Sequence, residues 1–136
     1  MKELFTGGCQ CQQVRYTLYE HPLRLIACHC TECQMQSGSA FGLSLHIKES
    51  TIQLIGSLKS FSWVSDSGRL NSGFFCPDCG NRIYNNPERL NGIITLKPGT
   101  LDNTSWLYPE SFQWMKSAQD WIVVPENMKI WSRQNS

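Results

Sequence analysis

Apolar and polar residues alternate with period two along much of this chain. Val14, Tyr16 and Leu18 alternate with Arg15, Thr17 and Tyr19. Phe41, Leu43, Leu45 and Ile47 alternate with Gly42, Ser44 and His46, the cleanest strand pattern in the sequence. Shorter runs at Leu23–Cys28, Thr51–Ile55, Leu58–Ser65, Leu70–Cys76, Ile83–Asn85 and Gly92–Lys97 are also predicted strands. Ser67-Gly68, Asn85-Asn86-Pro87 and Pro98-Gly99 mark turns between them. No window carries a long amphipathic helix. Short helical turns are expected just after Cys30 and around Ser117 to Trp121. The pattern predicts a mainly β protein of antiparallel sheets packed together. Its five Trp and six Phe can supply a core, to which Phe41, Phe61, Trp63 and Phe75 are assigned.

At 136 residues the chain has the length of one domain, taken here as residues 1–136. That length can bury a core without covalent staples. The polar residues Ser132 to Ser136 are expected to fray. A net charge of +1, with no run of like charges, predicts no nucleic-acid partner. The first residues lack an apolar signal segment, and no stretch approaches the roughly 18 apolar residues of a membrane span. The expected compartment is cytoplasmic, where thiols stay reduced. Seven cysteines in that setting point to metal or redox chemistry, and their odd number would strand one thiol in a disulfide framework.

The cysteines fall into three groups. Cys76-Pro77-Asp78-Cys79-Gly80 has the spacing of a zinc knuckle, with Pro77 and Gly80 shaping the turn. Gly8-Cys9-Gln10-Cys11 can aim both sulfurs to one face of an extended segment, because residues i and i+2 share a face. Cys9, Cys11, Cys76 and Cys79 can therefore close one tetrahedral site. Cys28, Cys30 and Cys33 remain, and a strand-to-turn junction can bring all three to one ion. Three protein ligands with one open position is the pattern of a catalytic zinc. Two other partitions stand at this level. Cys28, Cys33, Cys76 and Cys79 can form the closed site, or His29 can complete the middle one, although strand parity turns His29 to the opposite face. His21 and His46 read as solvated. Arg15, Arg82 and Lys97 read as surface charges, and Glu32 is the first candidate for a general base.

With those residues identified, the chain resembles the glutathione-dependent formaldehyde-activating enzyme family, also called the CENP-V/GFA domain family. The resemblance is carried by Gly8-Cys9-Gln10-Cys11 with Val14-Arg15-Tyr16, and by Cys28-His29-Cys30-Thr31-Glu32-Cys33 with Gly38-Ser39-Ala40-Phe41. Phe75-Cys76-Pro77-Asp78-Cys79-Gly80 and Gly99-Thr100-Leu101-Asp102 complete it, in the family's order, between about Thr6 and about Trp121. It implies a β-tent (Mss4-like) fold and two zinc ions per chain. Cys9, Cys11, Cys76 and Cys79 would hold the structural zinc, and Cys28, Cys30 and Cys33 the second, open one. It also implies a carbon–sulfur lyase of the S-(hydroxymethyl)glutathione synthase type, with a small-molecule thiol and an aldehyde as partners and glutathione as the candidate thiol. The chain departs from the family pattern in three places. Gln34-Met35 replaces a basic pair, Gln12 stands where many members have Gly, and Phe112 occupies the slot of a His. Two other classes are carried forward: a non-catalytic zinc module that binds a protein or small thiol, and a redox enzyme using Cys30 and Cys33.

Overall fold

The computed structural model describes residues 2–134 and is mainly β. Strands β1 (Phe5–Gly8), β2 (Arg15–Leu18) and β5 (Ile52–Ile55) form a small antiparallel sheet in the order β1-β2-β5. The larger sheet contains β3 (Arg24–Cys28), β4 (Gly42–Lys48), β6 (Lys59–Val64), β7 (Leu70–Phe75), β8 (Arg82–Asn85) and β9 (Ile93–Leu96). Two short strands near the C-terminus, β10 (Ser111–Gln113) and β11 (Lys129–Ile130), extend it. Its order is β11-β10-β3-β4-β9-β8-β7-β6. One helix, α1 (Thr31–Ser37), joins β3 to β4 and ends at Gly38, whose φ of 61° is the left-handed geometry glycine tolerates best.

Strand parity explains the core. On β2, Tyr16 and Leu18 point inward, and on β4, Leu45 and Ile47 do so. Val14, Leu25, Ile83, Ile94 and Leu96 join them in one buried cluster that spans both sheets. Burying each such aliphatic side chain contributes roughly 1.5–3 kcal/mol.

The structure corrects several sequence expectations. The large sheet is mixed rather than antiparallel, because β10 runs parallel to both β3 and β11. Strands this short carry too little periodicity to be read from sequence. The polar tail is also pinned as far as Arg133: Trp131 N–H donates to Phe112 O at 2.9 Å and Trp114 N–H to Arg133 O at 3.0 Å. The remainder of the predicted frayed tail, residues 135–136, lies outside the described residues. The helical turn expected around Ser117 to Trp121 is a single 3-10 turn at Met115–Ser117, ended by extended backbone at Ala118. Phe61 is 62% exposed on β6 instead of belonging to the core. Among the described residues, no helix is long and apolar enough to cross a membrane.

Candidate metal centre and its cleft

Two clusters of thiols form. In the first, the loop after β1 and the turn after β7 bring Cys9, Cys11, Cys76 and Cys79 together, with all four sulfurs within 4.8 Å of one another. Cys9 Sγ lies 3.6 Å from Cys11 Sγ, and Cys11 Sγ lies 3.7 Å from Cys76 Sγ. A tetrahedral ion with sulfur bonds of about 2.3 Å spaces its ligands by about 3.8 Å, so this donor set fits zinc. Backbone and amide donors support it. Val14 N–H reaches Cys9 Sγ at 3.2 Å, and the Gln13 amide reaches Cys76 Sγ at 3.2 Å. Burial pushes the Cys76 thiol up, but hydrogen bonds from Cys79 N–H, Gln13 and Asp78 N–H win and draw it down to about 6. A thiol held as thiolate is the form a metal binds.

The second cluster sits where β3 ends and α1 begins. Cys28 is the last residue of β3, Cys30 caps α1, and Cys33 lies one turn along it. Their sulfurs also fall within 4.8 Å of one another, and among the described residues no His, Asp or Glu joins the group. Cys33 N–H donates to Cys30 Sγ at 3.2 Å. The thiols of Cys28 and Cys33, followed by the N–H groups of Cys33 and Glu32, hold the Cys30 thiol well below its ordinary range. Cys33 is pushed up, because it donates to its two neighbours and is buried.

His29 faces away from this cluster. Its ring is fully buried between Phe41 and Phe112, each centroid 5.1 Å away, and its Nδ1 lies 3.3 Å from Gln113 O. The structure therefore does not bring His29 to the triplet as a fourth donor. Nor does it join Cys28 and Cys33 to Cys76 and Cys79.

The triplet opens into a cleft of about 650 Å³. The cleft floor is the polar face of the large sheet. On β3, Cys28, Ile26 and Arg24 follow one another along that face, and β4 sets Gly42, Ser44 and His46 opposite them. Thr95 pairs with His46, and Asn85 with Thr95, which continues the floor across β9 and β8. The walls are α1, the β6–β7 hairpin turn and the chain around Trp114.

This cleft changes the reading of several side chains. His46 is 6% exposed and lines the floor rather than standing in solvent. Burial, then Arg24 and Arg89, lower its pKa to about 4. Lys97 is partly buried beside the triplet. Its burial lowers its pKa while the thiols of Cys33, Cys28 and Cys30 oppose the shift. Arg82 donates to Asn85 Oδ1 at 2.8 Å and stacks over Trp63. Arg15 is ion-paired with Asp102. Glu32 lines the cleft and accepts from Trp63 Nε1 at 2.7 Å; burial raises its pKa and that bond opposes the rise. Arg24, Arg69, Arg89, Lys97, Lys116 and Arg133 line the cleft against only Glu32 and Asp66 as acids. A net charge of +1 spread over the sequence thus conceals a cationic cavity.

The model of the glutathione-dependent formaldehyde-activating enzyme family matches residues 4–117. The chain belongs to that family. No curated protein matches the chain. A crystal structure of a Rhodobacter sphaeroides protein aligns with a TM-score of 0.59 at 14% identity, covering 93% of this chain and 98% of that one. At that identity the likeness is one of fold.

The departures of this family member now have positions. Gln34 is a strut: its amide donates to His29 O and to Ser117 O, both at 2.9 Å. Met35 is 83% exposed. Gln12 takes a φ of 69°, the left-handed region where a glycine would be at ease, and its amide bonds Cys9 O at 3.0 Å. Phe112 is buried against His29, on the side of β10 away from the cleft. Gln113 and Trp114, its neighbours, line the cleft instead. Sequence reasoning missed these two, along with His46 and the cationic wall. The alternation of β4 was a usable signal for His46, had its polar face been read as covered.

Proposed function

We propose that this protein binds zinc at both cysteine clusters and joins the sulfur of a carboxylate-bearing thiol to an aldehyde carbon. Glutathione is the model substrate. The activity is that of a carbon–sulfur lyase run in the direction of adduct formation. The observation that carries this reading is a triplet of thiols with no fourth protein donor among the described residues, opening on a cationic cleft. A bound zinc would lower the pKa of a thiol placed at the open position.

The chain's own residues supply the rest. Cys28, Cys30 and Cys33 would hold the ion at the end of the floor. The floor runs from Cys28 to Arg24, roughly 13 Å at the rise of a strand. A peptide-sized thiol can lie along it with its sulfur at the triplet and its carboxylates among Arg24, Arg89 and His46. Charge-assisted hydrogen bonds from arginine suit carboxylates, and a cationic cavity raises the local concentration of an anionic substrate. The wall of α1, held by Gln34 and by Trp63 on Glu32, keeps the triplet in register with the floor.

The test is metal content together with turnover. Two zinc per chain, one lost in Cys30→Ser without unfolding, and adduct formation from glutathione and formaldehyde above the zinc-free rate are expected. Two zinc without any rate across several thiols would make the protein a non-catalytic zinc module. A reversible Cys30–Cys33 disulfide with little bound zinc would make it a redox enzyme.

A further inference from the structure

Lys97 stands beside the triplet, just beyond the end of β9. Its backbone N–H donates to Ile83 O at 2.8 Å, which anchors it there. Its Nζ lies 3.5 Å from Leu43 O. No carboxylate pairs with it among the described residues, and the groups that favour its charged form are the thiols of Cys33, Cys28 and Cys30. Holding a partly buried ammonium without a carboxylate is costly unless something anionic meets it.

Gly42 supplies the space in front of it. A Cβ built on Gly42 would stand 3.4 Å from Cys33 Cβ and 3.6 Å from Lys97 Nζ. Gly42 is outside the left-handed region, so its backbone conformation does not call for glycine. The missing side chain leaves room for a methyl group, in ordinary contact with Cys33 Cβ on one side and the Lys97 ammonium on the other. The same row of the floor carries Cys28 directly across from Gly42.

We propose that Lys97 is a catalytic residue: its ammonium holds the aldehyde oxygen over Gly42 while the thiol at the triplet attacks the carbonyl carbon. The proposal rests on the thiol–aldehyde reading above and deepens it. The sulfur lone pair forms the new C–S bond, and the π pair of the C=O bond moves onto oxygen. The developing oxyanion accepts hydrogen bonds from the Lys97 ammonium. The proton released by the thiol reaches that oxygen through cleft water, so thiol and aldehyde give the hydroxymethyl thioether with no oxidant or reductant. Fixed donors aimed at developing charge are worth about 10²–10³ in rate in other acyl and carbonyl reactions.

Lys97→Met, Lys97→Arg and Gly42→Ala are compared with the parent, each zinc-loaded. Measured are the kinetic constants for glutathione and formaldehyde and the zinc affinity by chelator competition. Lys97→Met is expected to lower kcat about 10²-fold, with thiol KM and zinc affinity moved by less than about threefold. Lys97→Arg is expected to restore at least about tenfold of that loss, because a cation returns to the same place. Gly42→Ala is expected to keep its zinc and lose rate, because a methyl fills the gap without striking backbone. Unchanged kcat in Lys97→Met overturns the proposal. So does a loss of zinc affinity of tenfold or more with kcat per bound zinc preserved, which would make Lys97 a charge balance for the thiolates. A parent without activity on any thiol overturns the thiol–aldehyde reading itself, and the role of Lys97 falls with it.

Discussion

Arg15 and Asp102, separated by 87 residues, are joined by a two-pronged ion pair, with Arg15 Nη1 2.9 Å from Asp102 Oδ1 and Nη2 on Oδ2. Thr6 adds a hydrogen bond to Asp102 at 2.6 Å, and Tyr16 meets Thr100 at 2.7 Å. Two separate sequence motifs are thereby one structural joint, tying β2 to the turn after β9. Arg15 first, then Thr6, hold the Asp102 carboxyl down at about 2, from 3.8. A depressed carboxyl pKa stabilises the fold above the unfolded value and loses that contribution as pH falls toward the folded one. Both side chains are more than a third exposed, which limits the pair to under about 1 kcal/mol. Asp102→Asn is expected to lower Tm slightly at pH 7, with the gap to the parent closing between about pH 4 and pH 2. A gap that persists at pH 2 by calorimetry would contradict this.

The two thiol clusters are expected to respond differently to loss of one ligand. Cys76 is fully buried and joins elements distant in sequence. Cys76→Ser should remove one metal equivalent and destabilise the chain by several kcal/mol or more, because structural zinc binding is folding free energy of about 10 kcal/mol. Cys30→Ser should remove one metal equivalent and leave the thermal transition nearly in place. Metal analysis alongside circular dichroism separates the two. Equal loss of structure in both variants would contradict the division into a closing site and an open one.

His29 is adjacent to two cysteines yet is expected to bind no metal. Among the described residues its Nε2 is buried without a hydrogen-bond partner, while Nδ1 meets Gln113 O at 3.3 Å. His29→Leu should keep both metal equivalents and change stability by no more than about 1 kcal/mol, because an apolar group of similar size relieves the unpaired nitrogen. Loss of a metal equivalent in His29→Leu would make the ring a ligand.

The buried His46 predicts a pH dependence. Its folded pKa of about 4 lies below the ordinary 6.5, owing to burial and then to Arg24 and Arg89. Between those values the unfolded chain binds the proton that the folded chain refuses. The native state is thus favoured fully above about pH 6.5, and this contribution is lost as pH falls toward 4. His46→Gln should flatten the decline in denaturation midpoint between pH 7 and pH 5 relative to the parent. An NMR titration of His46 with a midpoint near 6.5 would remove the basis of this expectation.

Much of the architecture was legible in the sequence, and the reason is locality. Period-two alternation marked β2 and β4, and both put their apolar residues in the core. The spacing of Cys9 and Cys11 and of Cys76 and Cys79 announced pairs of sulfurs on one side of a short segment. Cys28, Cys30 and Cys33 were legible for the same reason: a strand end followed by a helical turn aims such positions together. These properties depend on neighbours a few residues apart.

The tertiary structure decided what depends on distant partners. It joined Cys11 to Cys76 across 65 residues, and Arg15 to Asp102. It set the short β10 and β11 beside β3, where pairing with the sheet replaces the periodicity they lack. It also covered the polar face of β4. Alternation shows that Gly42, Ser44 and His46 share a side, but not whether water or protein lies over it. Here α1, the β6–β7 hairpin and the chain around Trp114 enclose that side as a cleft. Residues that read as solvated charges, His46 and Lys97 among them, thereby came to line the cleft beside the cysteine triplet.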